Sequence, residues 1–166
     1  QKLQEREFLP AIFFIFSRAG CDAAVTQCIR DGVSLTNSDE KEVIRSIIAR
    51  RTSELSTEDF GVLGFYEWCQ ALERGIASHH AGLLPMFKET IEELFQRGLL
   101  KVVFATETLA LGINMPARTV FLEKLIKWNG ESHAPISPGE YTQLTGRAGR
   151  RGIDIEGNAV VMWSEQ

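Results

Sequence analysis

The chain has 166 residues, enough for one domain with a core that folds alone, and its 44% hydrophobic and 24% charged residues are ordinary globular values. No apolar run reaches membrane-spanning length and the opening Gln1-Lys2-Leu3-Gln4-Glu5-Arg6-Glu7 lacks a signal-peptide pattern, as expected of a cytoplasmic chain, while the N-terminal Gln suggests a piece excised from a longer protein. A net charge of −4 excludes attraction to nucleic acid through the bulk field, so any polyanion site has to be local.

Ala11-Ile12-Phe13-Phe14-Ile15-Phe16 is a short continuous apolar run, the pattern of a strand buried on both faces of a parallel sheet. It stops at Ser17-Arg18, after which Cys21, Val25 and Cys28 recur at helical spacing as far as Asp31-Gly32. This strand–turn–helix unit puts its polar residues at the carboxyl end of a strand, where open α/β sheets bind ligands. Ser17 fits either a ligand contact or the N-cap of the helix that follows. The three cysteines, Cys21, Cys28 and Cys69, form no C-x-x-C pair, which argues against a disulfide frame or a four-cysteine zinc site. Their apolar neighbours predict small buried hydrophobes in a reducing compartment.

Residues 33–74 interrupt this rhythm and predict a helical insertion lying against the sheet. Asp39 to Arg51 carries Val43, Ile44, Ile47 and Ile48 on one face, with acids in the first turn and bases in the last. Ser56 or Thr57 opens a second helix with a stripe of Val62, Phe65, Cys69 and Leu72, closed by Gly75, although Gly61 and Gly64 weaken its interior. The acidic stretches Asp39–Glu42, Glu54–Asp59 and Glu89–Glu93 read as exposed helix faces.

The strand–helix alternation then resumes. Gly75-Ile76-Ala77-Ser78-His79 is a weak strand ending at His80-Ala81-Gly82; Pro85 suits a first helical position, and Phe87, Ile91, Leu94 and Phe95 form a stripe up to Gly98. Lys101-Val102-Val103-Phe104-Ala105 is the clearest strand and delivers Thr106 to the ligand edge of the sheet. A hydroxyl and nearby backbone N–H groups there suit a phosphate. After a small turn of helix, Gly112 permits close backbone approach, and Asn114 offers a donor and an acceptor for a sugar hydroxyl. An ordinary strand-to-helix turn uses the same residue types. Thr119 to Leu122 is a further strand, Trp128 to Ser137 a polar loop, and Ser137-Pro138-Gly139-Glu140 a capping box that opens a helix. Ala159 to Trp163 is the last strand of a mostly parallel α/β sheet with helices on both faces.

His79, His80 and His133 do not suggest a metal centre: adjacent histidines on a strand point to opposite faces, and no carboxylate or cysteine stands at ligand spacing. The stretch Gln143-Leu144-Thr145-Gly146-Arg147-Ala148-Gly149-Arg150-Arg151-Gly152 carries more chemistry. Arginine is a planar, permanently charged fork that grips phosphate in two places. At about 100° per residue, a helix persisting this far puts Tyr141, Leu144, Thr145 and Ala148 on the core side and Gln143, Arg147 and Arg150 on the other. A solvated basic helix end fits the same residues.

Four ordered stretches, Phe14-Ile15-Phe16-Ser17-Arg18, His79 to Pro85, Ala105 to Pro116 and Gln143 to Asp154, resemble motifs IV, IVa, V and VI of superfamily 2 DExH-box helicases. Within that superfamily they are similar to the superkiller-like RNA helicases, in the actinobacterial HelY type, and Glu58 to Gly75 resembles that family's insertion before motif IVa. The resemblance spans nearly the whole chain. It implies that residues 1–166 form the second, C-terminal RecA-like motor domain, with a helical insertion at about 33–74. Arg147 and Arg150 would then be arginine fingers for ATP, held with Mg2+ mainly by a first RecA-like domain in cis. Gln143, Gly146, Gly112 and Asn114 would stand beside the nucleotide. Ser17, Arg18, His80, Gly82, Thr106 and Thr108 would line a track for single-stranded nucleic acid, RNA for this family. RNA-degrading machinery is the implied partner, and no membrane is involved.

The sequence departs from a whole motor in one respect: it contains no G-x-x-x-x-G-K-[ST] loop and no Asp-Glu-x-His. The first RecA-like domain is therefore absent from this chain, and the chain alone is expected to hydrolyse essentially no ATP. Two other readings fit part of the pattern. One is the same domain of a DNA-unwinding repair helicase, because motifs V and VI are similar across the superfamily. The other is a non-enzymatic α/β module that binds a nucleotide or a partner.

Overall fold

The computed structural model describes residues 7–162, except 63, 112–114 and 155. The first half runs β1 (Ala11–Phe14), α1 (Arg18–Arg30), α2 (Ser38–Arg51), α3 (Thr57–Val62), α4 (Phe65–Glu73), β2 (Ile76–His79) and α5 (Pro85–Gln96). The second half runs β3 (Val102–Ala105), a 3-10 turn (Glu107–Leu111), β4 (Thr119–Leu122), β5 (Ile126–Trp128), β6 (His133–Pro135), α6 (Pro138–Thr145) and β7 (Asn158–Val161). Five strands pair in parallel in the order β2-β3-β1-β4-β7, with helices on both faces, as the alternation predicts.

Strand alternation sorts the core into two layers. On one face Phe13 stands between Phe104 and Phe121, stacked on Phe121 at 4.3 Å between ring centroids, and α1 covers this layer with Cys21, Ala24, Val25 and Cys28. Burial pushes the Cys21 thiol up to about 12, so it stays protonated and acts as the small hydrophobe expected. On the other face Ile12, Phe14, Val103, Ala105, Val120 and Leu122 meet Ile91, Leu94 and Phe95 of α5. Ile44, Ile47 and Ile48 of α2 and Leu72 of α4 join the same cluster, so residues 33–74 lie against the sheet and supply core side chains.

Several sequence expectations need correction. Asn37 and Glu40 form a capping box at the start of α2, and Val43 is 46% exposed, outside the buried stripe. The second helix of 33–74 is two helices, α3 and α4, because Gly64 takes a left-handed conformation (φ +62°) and breaks the ladder between them. The acidic stretch Glu89–Glu93 is not simply solvated: Glu93 is 15% exposed and meets Arg50 at 2.5 Å and Arg51 at 2.8 Å. The polar loop after β4 is an antiparallel hairpin of β5 and β6. Asn129 Oδ1 accepts hydrogen bonds from the backbone N–H groups of Glu131 and Ser132 to close its turn. Helix α6 ends at Thr145, short of the arginines, because Ala148 leaves it to form a parallel bridge with Ala117. Among the described residues, no helix is long and apolar enough to cross a membrane.

Candidate nucleic-acid and nucleotide interface

Strands β2, β3 and β1 are neighbours, so the turns leaving their carboxyl ends lie side by side. After β1, Ser17 Oγ accepts the Gly20 N–H at 3.1 Å, which makes it the N-cap of α1, and Arg18 follows as an exposed first helical residue. After β2, the Gly82 N–H donates to His80 Nδ1 at 3.1 Å. That nitrogen is therefore bare, and the proton sits on Nε2, which donates to Asp22 Oδ1 at 3.0 Å. Ser78 Oγ donates to the same oxygen at 2.8 Å. Both His80 nitrogens are spent inside the protein and its side chain is 7% exposed, so what it presents to a ligand is the loop it holds. A Cβ on Gly82 would come within 3.0 Å of the His80 ring and 3.5 Å of Arg18 Nη1, so a side chain here would force the ring to give by a few tenths of an ångström.

His79, on the opposite sheet face, meets Glu92 of α5 at 3.0 Å. Burial pulls its pKa down, against the opposing pull of that carboxylate. The two histidines thus divide as strand alternation expects. Among the described residues, no group of three or more His, Cys, Asp or Glu side chains gathers.

After β3, the Thr106 N–H donates to the His79 carbonyl at 3.4 Å, and the Thr106 and Thr108 hydroxyls share a hydrogen bond of 2.9 Å. Thr106 is buried and Thr108 exposed, so Thr108 carries the accessible hydroxyl of the pair. Gly112 and Asn114 lie outside the described residues.

Helix α6 follows from its own sequence. Ser137 Oγ accepts the Glu140 N–H and the Glu140 carboxylate accepts the Ser137 N–H, with Pro138 at the first position. Lys127 of the hairpin also donates to Glu140, and these bonds, that from Lys127 foremost, hold the carboxyl at about 2. Gln143 is exposed in a cleft of about 180 Å³ shared with Phe16, Glu107, Lys127 and Glu140.

Gly146 caps the helix and the arginine turn begins. The Ala117 N–H donates to the Arg147 carbonyl at 3.0 Å, and the Gly149 N–H donates to the Ala117 carbonyl at 2.7 Å. A Cβ on Gly157 would fall 2.6 Å from the Ala148 carbonyl, so this backbone is gripped from both sides. Arg150 donates from Nε to Asp154 Oδ2 and from Nη2 to Oδ1, both at 2.8 Å, and its backbone N–H donates to Oδ2 at 2.9 Å. Those bonds lower the Asp154 pKa and raise that of Arg150. Arg150 lines a broad depression of about 780 Å³ with Arg97, Arg151, Pro116 and Ile153.

Ser17, Arg18, His80 and Gly82 are thus gathered on one edge, with Thr106 and Thr108 on the neighbouring turn. Arg147 and Arg150 share one turn, whereas Gln143 lies in a cleft separate from the depression that Arg150 lines, contrary to a common helical face. Sequence reasoning missed Asp22, Lys127 and Asp154. The spacing of four between Arg150 and Asp154 is a local signal; Asp22 is 58 residues from His80 and has none.

Residues 25–152 match the family model described as helicase conserved C-terminal domain. The chain is 64% identical over 162 residues to "Probable helicase HelY" of Mycobacterium tuberculosis (strain ATCC 25618 / H37Rv), covering 98% of this chain and 18% of that protein. It is 43% identical over 160 residues to "Antiviral helicase SKI2" of Saccharomyces cerevisiae, covering 96% of this chain and 12% of the relative. To "Exosome RNA helicase MTR4" of Homo sapiens it is 44% identical over 164 residues, covering 99% and 16%. The chain therefore spans less than a fifth of the length of these relatives. A parallel RecA-like sheet between helices, four motif turns in order and a family match over most of its length establish that this chain belongs to the helicase conserved C-terminal domain family.

Proposed function

We propose that this chain is the C-terminal motor domain of an ATP-dependent superfamily 2 RNA helicase, and that it completes an ATP site held mainly by a first RecA-like domain in cis. The reading rests above all on the arginine turn, a rigid backbone carrying Arg147, Arg150 and Arg151 in a chain that has no phosphate loop of its own. A guanidinium suits the charge that develops on a transferring γ-phosphoryl group. Among the described residues no carboxylates cluster in a way that would hold Mg2+, which the first domain would supply. Gly112 and Asn114 would face the phosphates and ribose.

In this account the turns after β1, β2 and β3 form the track for single-stranded RNA. Arg18, Ser17, Gly82 and Thr108 contact its backbone, while His80 and Thr106 fix the turns that present them. A few such contacts suffice for a sequence-blind grip in a chain of net charge −4. ATP draws the two domains together and its hydrolysis releases them, so each cycle advances the strand. The words "RNA helicase" in the human relative's name support RNA over DNA, and the word "exosome" in the same name supports RNA-degrading machinery as the partner.

Arg150→Ala in the full-length protein tests this reading. An arginine finger is worth about 10³–10⁵ in rate in related phosphoryl-transfer systems. The substitution should lower RNA-stimulated kcat by far more than about tenfold and leave RNA affinity within about twofold. A loss of less than about tenfold would remove Arg150 from the ATP site.

A further inference from the structure

Asp154 has no role in the function proposed above, yet its side chain is 4% exposed and takes three hydrogen bonds from Arg150. Exposed ion pairs four apart on a surface contribute little. This one differs, because a carboxylate taken out of water is costly unless its partner is held in good geometry. The surrounding backbone supplies that geometry: the N–H groups of Ile153 and Asp154 both donate to the Arg150 carbonyl, at 3.1 and 3.0 Å. A free arginine side chain loses considerable rotamer entropy when it grips a phosphate, a cost already met if the guanidinium is held beforehand.

Of the five guanidinium donors, Nε and one Nη2 hydrogen go to Asp154. Among the described residues the Nη1 group makes no hydrogen bond and remains for a phosphate oxygen. We propose that Asp154 is the positioning residue of the arginine turn, holding Arg150 by its Nε–Nη2 edge so that the Nη1 edge is pre-set to receive the γ-phosphate of ATP. The inference rests on the reading of Arg150 as a phosphate-contacting residue.

The test is a double-mutant cycle in the full-length protein, read as RNA-stimulated ATP turnover. Asp154→Ala should lower kcat by about tenfold or more while KM for ATP changes less than about threefold. Asp154→Asn, which keeps the shape and one acceptor, should fall between it and wild type, and it serves in its place if the alanine variant folds poorly. Because Asp154 acts through Arg150, the Arg150→Ala/Asp154→Ala double variant should be no slower than Arg150→Ala alone. The positioning role is overturned if the Asp154 variants stay within about twofold of wild type while Arg150→Ala is slow, or if the two losses multiply. If Arg150→Ala itself retains full turnover, the phosphate-reading assignment fails and the positioning role fails with it.

Discussion

At the scale of single residues, the chemistry depends on partners that the linear sequence leaves implicit. Arg147 and Arg150 are legible from their type as candidates for a phosphate contact, and Gly82 as a place of close approach. That His80 turns inward is not legible, because its partner Asp22 comes from a helix on another part of the chain. Glu140 shows how one residue can serve two ends: it caps α6 and receives Lys127 from the hairpin. The hydrogen bonds from Lys127 and Ser137 hold its carboxyl down to about 2, below the ordinary value of 4.5. A carboxyl depressed on folding stabilises the fold above its ordinary range, and that contribution is lost as pH falls through the folded value. The melting temperature of the chain should therefore drop less steeply between about pH 4.5 and 2 in Glu140→Gln than in wild type. Identical slopes would mean that the Lys127 and Ser137 bonds do not persist in solution.

At the scale of elements, β1 and β3 are readable because a strand buried on both faces of a parallel sheet is an uninterrupted apolar run, whereas β2, ending on Ser78-His79, is legible only as a weak strand. The start of α6 was readable because a capping box with proline is a local signal. What failed was anything set by a distant partner. The end of α6 is fixed by Ala117, whose bridge to Ala148 draws the chain out of the helix. The β5–β6 hairpin is hard to read because its strands are three residues long and largely exposed, although Asn129-Gly130 is a strong turn signal. The helices of 33–74 do lie against the sheet, and α2 places Ile44 in the main core at 0% exposure. Ile44→Ala should accordingly cost about 2–5 kcal/mol in urea unfolding of this chain. A cost below about 1 kcal/mol would make α2 a peripheral addition rather than part of the core.

At the scale of the molecule, the sheet organises two separate surfaces. One is the edge where the turns after β1, β2 and β3 stand together, and the other is the depression lined by Arg97, Arg150 and Arg151. In the proposed function the first carries the nucleic-acid strand and the second meets the end of a polyphosphate held by the other domain. Neither provides a phosphate loop, and in the function proposed above the arginine turn is half of a composite site. The direct test is the RNA-stimulated ATPase activity of this purified chain, measured beside the full-length protein. The account predicts robust turnover by the full-length protein and none above background by the chain. RNA-stimulated turnover by the isolated chain would contradict it.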